Sequence, residues 1–267
     1  MLTVSIPASD QDRVNRRVYH ARGVARYYRS HALDEAETMA LLAYQPAFAG
    51  RRVLDLGVGT GRTTAFVAPL ASRYTCVDFS PRMVDAVRAR FPGIPSLIGD
   101  MRDLSVFDDS AFDFVLASCN LVDAVDHADR LKVFGEVRRV LRPGGLFVFS
   151  SHNRRFRDAL AGPRLRWSRN PGTQAVHLWR WVRSLVNHAR VRHLRRVERD
   201  YAILNDPGHD YAALHYYVDR ATARRQMAAV GFRVLSEFDL SGRALGPGDE
   251  DRDSSSVLYV TERAATD

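Results

Sequence analysis

Cysteine is scarce in this sequence: Cys76 and Cys119 are the only two in 267 residues. Each sits in an apolar, strand-like run, which excludes a disulfide framework and fits reduced core thiols. No group of Cys and His has zinc-ligand spacing, so no metal site is expected. Long apolar runs are also missing. The longest, around residues 146–149, is far too short to span a bilayer. The first twenty residues contain no signal-peptide core. These absences lead us to expect a cytoplasmic protein. Repeats and low-complexity tracts are absent too. The 46% hydrophobic content suffices for the core of one large domain or a domain with an insertion.

Acids are nearly missing from one segment. Residues 151–200 hold thirteen arginines, no lysine and three acids, a net +10 that leaves −2 for the rest of a chain whose total is +8. One segment therefore carries the whole basic excess.

From residue 51 the pattern alternates strand and helix. "RRVLDLG", "RYTCVDFS", "PSLIGD", "FDFVLAS" and "LFVFSSH" read as strands. "RTTAFVAPLAS", "PRMVDAVRARF" and "HADRLKVFGEVRRVL" read as helices, the second opened by Ser80 and Pro81. "DRATARRQMAAVGF" reads as a later helix with Asp219 as N-cap and Gly231 as its stop, followed by the closing strands "FRVLSEFDL" and "SSVLYVTER". Such alternation implies an α/β fold with a mostly parallel sheet and right-handed crossovers.

The stretch "VLDLGVGTGRTT" places Gly57, Gly59 and Gly61 directly after the first strand. In an open α/β sheet this is where ligands bind, and glycines there allow a tight turn and close approach. Asp78, at the end of the second strand, suits the two hydroxyls of a ribose. The spacing is G-x-G-x-G with Arg62 in the place of a later glycine, which breaks the dinucleotide pattern. Asp55, two residues before the first glycine, suits a cationic ligand better than a diphosphate.

At this point the sequence resembles the class I S-adenosylmethionine-dependent methyltransferases of small-molecule type. The resemblance rests on "VLDLGVGTGRTT", "VDFSPRMVDAVRAR", "GDMRDLSVFDDSAFDFVLAS" and "VRRVLRPGGLFVFSS", over about residues 45–152. It implies a Rossmann-like sheet of seven strands flanked by helices, with an N-terminal helical lid (1–48), a cofactor-binding core (49–152), a basic helical insertion (153–217) and a closing helix and strands (218–267). It implies S-adenosylmethionine as cofactor. Asp55, Gly57, Gly59, Gly61 and Arg62 would line its methionine end, and Asp78 would bind the ribose beside Phe79 and Met83. Asp100 would reach the adenine amino group with Met101 against the ring, and Asn120 and Leu121 would lie by the sulfonium. "ARYYRSHALDEAE" resembles a lid helix whose Tyr28 closes over the cofactor, with Tyr19 and Tyr27 as substitutes.

Methyl transfer to a hydroxyl benefits from a base, usually histidine. His152, just past the fifth strand, is the leading candidate, with His127 and His215 behind it; Asp123 is placed to orient a histidine or contact substrate. "SCNLVD" stands where enzymes acting on flipped adenines carry an Asn-Pro-Pro-Tyr type of turn, which argues against that chemistry. The expected acceptor is a small molecule or sugar unit, through oxygen in preference to nitrogen. The alternatives are an RNA methyltransferase using the basic segment, and a cofactor-binding interaction module without methyl transfer.

The helix pattern over 175–196 puts Leu178, Trp179, Trp181, Val182, Leu185, Val186 and Ala189 on one face and Arg180, Arg183, Asn187 and Arg190 on the other. The reading we prefer is a lid whose apolar face packs on the protein and whose arginines stay wet. The others are a helix lying on an anionic membrane and a phosphate-binding arm for an acidic substrate or RNA. No recognised RNA-binding module accompanies the charge, which lowers the last.

Overall fold

The structure, a computed structural model, describes residues 9–20 and 32–265. Its helices are α1 (Asp10–Tyr19), α2 (Glu35–Ala43), α3 (Gln45–Phe48), α4 (Thr64–Val67), α5 (Pro81–Arg90), α6 (His127–Val140), α7 (Pro171–Val191) and α8 (Arg220–Ala229). Its strands are β1 (Arg52–Leu56), β2 (Arg73–Asp78), β3 (Ser96–Ile98), β4 (Phe112–Ala117), β5 (Leu141–Asn153), β6 (Arg196–Val197), β7 (Tyr201–Leu204), β8 (His215–Val218), β9 (Phe232–Asp239) and β10 (Ser256–Arg263).

Local chemistry explains several boundaries. Asp126 caps α6 by accepting from Asp129 N at 3.0 Å, and Asp219 caps α8 by accepting from Thr222 N at 2.9 Å. Asp34 and Glu37 form a reciprocal capping box on α2. Gly231, at φ +82°, ends α8. The helix expected over 62–72 shrinks to the four residues of α4, because Pro69 cannot extend the ladder.

The sheet order is β3-β2-β1-β4-β5, with β10 antiparallel to β5 and β9 antiparallel to β10. Strands β1 to β5 run parallel. Alternate residues feed two cores. Leu54, Leu56, Phe147 and Phe149 join Val133, Phe134 and Val137 of α6 on one face. Val53, Leu146 and Val148 join Ala36, Ala40 and Phe48 on the other. Both faces are covered, which is why β1, β4 and β5 are nearly unbroken apolar runs.

Seven strands were expected; the sheet has ten. The extra three come from the segment expected to be a helical insertion, and its boundary at 217/218 falls inside β8. The cause is the length of β5. Its pairing with β4 ends at Ala117↔Phe149, and the exposed edge beyond is taken by β8, parallel, through His152↔Tyr217 and Asn153↔Val218. β7 and β6 then extend antiparallel from β8. An uncovered edge is an unsatisfied row of backbone groups, so pairing it is favourable.

The orientation of α7 also corrects our expectation. The polar side of the helix is the one tied to the protein, although its arginines stay largely exposed: Arg180 Nη2 is 2.9 Å and Arg183 Nε 3.5 Å from Asp210 carboxylate oxygens, and Asn187 Nδ2 donates to the Asp210 carbonyl at 2.9 Å. Most of the apolar face points away from the protein, Trp181 being half-buried, and Ser184 is the only buried residue of the helix.

Candidate functional site

Beyond the carboxyl ends of β1, β2 and β4 lies a cleft with about 1170 Å³ of space, solvent at its opening included. The glycine turn, Asp78, Phe79 and Met83 form one wall, and Asp100, Met101 and Leu121 another. Helix α1 closes it from above with Asp12, Asn15, Arg16 and Tyr19. Polar anchors seat this helix. Gln11 Nε2 donates to the carbonyls of Asp123 (2.9 Å) and Leu214 (3.1 Å), and Asn15 Nδ2 to those of Ala124 (2.8 Å) and Leu214 (2.7 Å). Tyr28 lies outside the described residues; among those described, Tyr19 is the tyrosine on the cleft.

All three glycines have positive φ, but they serve different ends. A Cβ on Gly57 would lie 2.4 Å from Leu121 Cδ1, and one on Gly61 2.5 Å from the Phe91 ring. Their bare Cα atoms admit protein side chains. A Cβ on Gly59 would meet only the Gly57 carbonyl, at 4.0 Å, so Gly59 alone leaves its space to the cleft.

Asp78 Oδ2 accepts from Gly59 N at 3.0 Å and Oδ1 from Ser80 N at 2.9 Å. Burial raises its pKa against the pull of these two N–H groups. A carboxylate offers about four acceptor positions, so room remains for two hydroxyl donors. The open face of Gly59 and the half-satisfied Asp78 together fit a nucleoside whose ribose lies on Asp78.

Asp55 is buried, accepts from Thr63 Oγ1 and Tyr74 OH, and ties the glycine turn to α4 and β2. Burial pushes it up to about 6, those hydrogen bonds opposing. Arg62 forms a two-pronged ion pair with buried Glu37, the Nη2–Oε1 arm at 2.6 Å, and reaches Ser118 Oγ at 3.1 Å. It therefore pins α2 to the glycine turn and the end of β4, and is a strut as well as a cleft residue. Losing one partner of such a pair costs about 3–5 kcal/mol.

Asp100 departs from the adenine-binding role expected of it. Arg102 donates to it from its backbone N (3.0 Å), Nε (2.9 Å) and Nη2 (2.7 Å), and Arg16 Nη2 at 2.7 Å. These four bonds use its acceptor positions, and through them Asp100 holds α1 over the cleft. Met101 lines the same wall. Asn120, in the left-handed region at φ +55°, turns away from the cleft and sets its Nδ2 3.3 Å from His152 Nε2.

Of the candidate histidines, His152 is the one that meets Asp123. Asp123 is fully buried; its Oδ2 lies 2.7 Å from His152 Nδ1 and accepts the His152 backbone N–H at 2.6 Å. Its Oδ1 takes Arg130 and Ser151 Oγ, the latter at 2.7 Å. Arg130, itself buried, lies 4.6 Å from the Tyr216 ring centroid. His127 does not join this group. It opens α6, stacks on Tyr201 at 4.5 Å, and bonds Tyr216 OH at 2.8 Å. Position in the loop after β4 could not reveal that its ring turns onto β7 and β8.

Beside the first pair stands a second that sequence reasoning missed. Asp206 Oδ2 is 2.7 Å from His215 Nδ1, 2.8 Å from Tyr217 OH and 3.6 Å from His152 Nε2. The His152 and His215 rings stack at 4.9 Å, and His215 Nε2 meets Tyr19 OH at 3.2 Å. This chain of groups links the base candidate to the cleft wall at Tyr19. The only sequence signal was His215 alternating with Tyr217 in "LHYYV", readable once β8 is known to pair with β5.

Comparison with known proteins agrees with the fold. Residues 53–145 match a family profile described as a methyltransferase domain. That match covers the glycine turn and strands β1 to β4, and the rest of the chain lies outside it. The chain is similar to an uncharacterized methyltransferase of Mycobacterium tuberculosis, 39% identical over 97 residues that are 36% of this chain and 38% of that one. It is also similar to a demethylmenaquinone methyltransferase of Mycobacterium sp. (strain KMS), 40% identical over 112 residues, 42% of this chain and 45% of that one. The match thus spans less than half the length of these relatives. In fold it resembles an S-adenosylmethionine-dependent methyltransferase from Clostridium acetobutylicum, with a TM-score of 0.61 at 14% identity, covering 94% of this chain and 98% of that one.

Proposed function

We propose that this protein transfers the methyl group of S-adenosylmethionine to an oxygen of a small organic acceptor, with His152 as general base. The observation that carries the reading is the Asp123–His152 contact, 2.7 Å at Nδ1, joined through the stacked His215 to Tyr19 on the cleft. When bound, S-adenosylmethionine supplies a methyl group already activated by its sulfonium. Gly59 gives the methionine end its space, and Asp78 holds the ribose. Helix α1 keeps water out and narrows the acceptor's approach, which favours in-line attack. Asp123 fixes the tautomer of His152 with its proton on Nδ1, so Nε2 would take the acceptor's hydroxyl proton as the carbon–oxygen bond forms and the methyl–sulfur bond breaks, the sulfur leaving as the neutral thioether of S-adenosylhomocysteine. The imidazolium that results is stabilised by Asp123 on one side and Asp206 on the other. The demethylmenaquinone methyltransferase among the relatives supports a small acceptor. An ordered base would be idle in a binding module, which favours the enzyme over that alternative.

Methyl-labelled S-adenosylmethionine supplied with a panel of phenols, sugars and amines tests the reading. Label transfer to hydroxylated acceptors is expected, together with calorimetric binding of S-adenosylmethionine and not of NAD. Tight NAD binding without S-adenosylmethionine binding would sink it.

A further inference from the structure

The face of α7 turned away from the protein is apolar. Val176, Leu178, Trp179, Val182, Leu185 and Val186 are all exposed, Trp179 at 60% of its surface, and Trp167 just before the helix at 82%. A monomer seldom leaves such a strip uncovered. The helix holds this orientation through Asp210, which takes the half-exposed Arg180 and Arg183 at its edge.

Charge selects what covers the strip. Arg166 and Arg169 precede the helix, and Arg190, Arg192 and Arg196 follow; all five are exposed and make no salt bridge among the described residues. Arg183 lies along its flank, 5.3 Å from the Trp179 ring. A second copy docked on this face would bring arginines against arginines at both ends, whichever way the helices ran. RNA would meet valine and leucine where it needs phosphate contacts. An anionic bilayer satisfies both parts at once: apolar side chains enter the headgroup boundary while arginines meet lipid phosphates.

We propose that α7 is an interfacial helix that docks this protein on anionic phospholipid membranes through the strip from Val176 to Val186. The turn it grips, Gly208–Tyr211, contains His209, whose ring lies 5.0 Å from that of Tyr19. This inference does not depend on which acceptor is methylated.

All three tryptophans of the chain lie at positions 167–181, so intrinsic fluorescence reports on this region alone. The test mixes the full chain with vesicles of phosphatidylcholine, with and without phosphatidylglycerol, at low and high salt. Binding to the anionic vesicles, weakened by salt and accompanied by a blue shift, is expected. Trp179→Glu and Val182→Glu, both at exposed positions, should each weaken it roughly tenfold or more. Val106→Glu, exposed elsewhere, should leave it unchanged. Circular dichroism checks that the variants remain folded. No vesicle binding, or equal binding by Trp179→Glu and the parent, overturns the proposal. So does lipid-independent dimerisation that Trp179→Glu abolishes while vesicles are ignored, which would assign the face to a second copy. Salt-sensitive RNA binding without vesicle binding would overturn it in favour of nucleic acid.

Discussion

Asp123 holds His152 at two points, the ring Nδ1 at 2.7 Å and the backbone nitrogen at 2.6 Å, from a position with no solvent exposure. The ring is thus oriented by the same carboxylate that fixes the end of β5. We expect His152→Ala to lower turnover about a hundredfold with little change in S-adenosylmethionine affinity. Asp123→Asn should lower turnover as well, and it should also lower the melting temperature, because Arg130 loses its charged partner. Steady-state kinetics and thermal melting separate the two effects. Unchanged kcat with a raised KM in His152→Ala would reassign His152 to acceptor binding.

The glycine turn separates packing from ligand space. Gly59→Ala carries only the cost of a left-handed side chain, about 1–2 kcal/mol, since its Cβ meets nothing closer than 4.0 Å. Gly57→Ala adds the clash with Leu121 at 2.4 Å, which calls for a further ~1–3 kcal/mol. Denaturant unfolding without ligand should therefore find Gly57→Ala the less stable. Calorimetry should find S-adenosylmethionine binding weakened at least about tenfold in Gly59→Ala despite its smaller stability loss. Wild-type affinity in Gly59→Ala would mean the cofactor lies elsewhere.

The Asp206–His215 pair predicts a pH window. Burial would raise Asp206, but the charge and hydrogen bond of His215, with His152 and Tyr217, outweigh it and hold the carboxyl well below its usual range. Burial would lower His215, but the Asp206 charge and hydrogen bond, with Asp123, raise it. His209, beside the pair, is held down to about 4 by burial and the charge of His215. The raised His215 contributes stability that is complete below about pH 6.5 and lost as pH climbs through its folded value. The lowered Asp206 contributes above about pH 4 and fails as pH falls through its folded value. The melting-temperature difference between wild type and Asp206→Asn should accordingly be widest between about pH 4 and 6.5 and narrow on the alkaline side. A difference that keeps growing to pH 9 would contradict the pairing.

Much of this protein was written locally. The glycine turn after β1, the acid ending β2, the caps at Asp126 and Asp219, and the helix–strand alternation each depend on residues within one or two turns of chain. Local chemistry therefore announced the α/β core, and placed Asp123 and His152 just past the ends of adjacent strands without saying which histidine Asp123 would meet.

Tertiary structure decided the rest, because the partners are far apart in sequence. Asp100 accepts Arg16 from a helix 84 residues earlier, and Arg62 spends its charge on Glu37, 25 residues back. Gly57 and Gly61 were legible as glycines, but that Leu121 and Phe91 fill the space beside them was not. His127 was drawn to Tyr201 and Tyr216, and His215 and Asp206 joined His152, only because β5 outruns β4 and leaves an edge for β8. The amphipathic period of α7 was visible in the sequence. Which side meets the protein depended on Asp210, 23 to 30 residues on, whose carboxylate and carbonyl take Arg180, Arg183 and Asn187 and leave most of the apolar side outward. Periodicity specifies that a helix has two faces; only the partner across the fold specifies which one it meets.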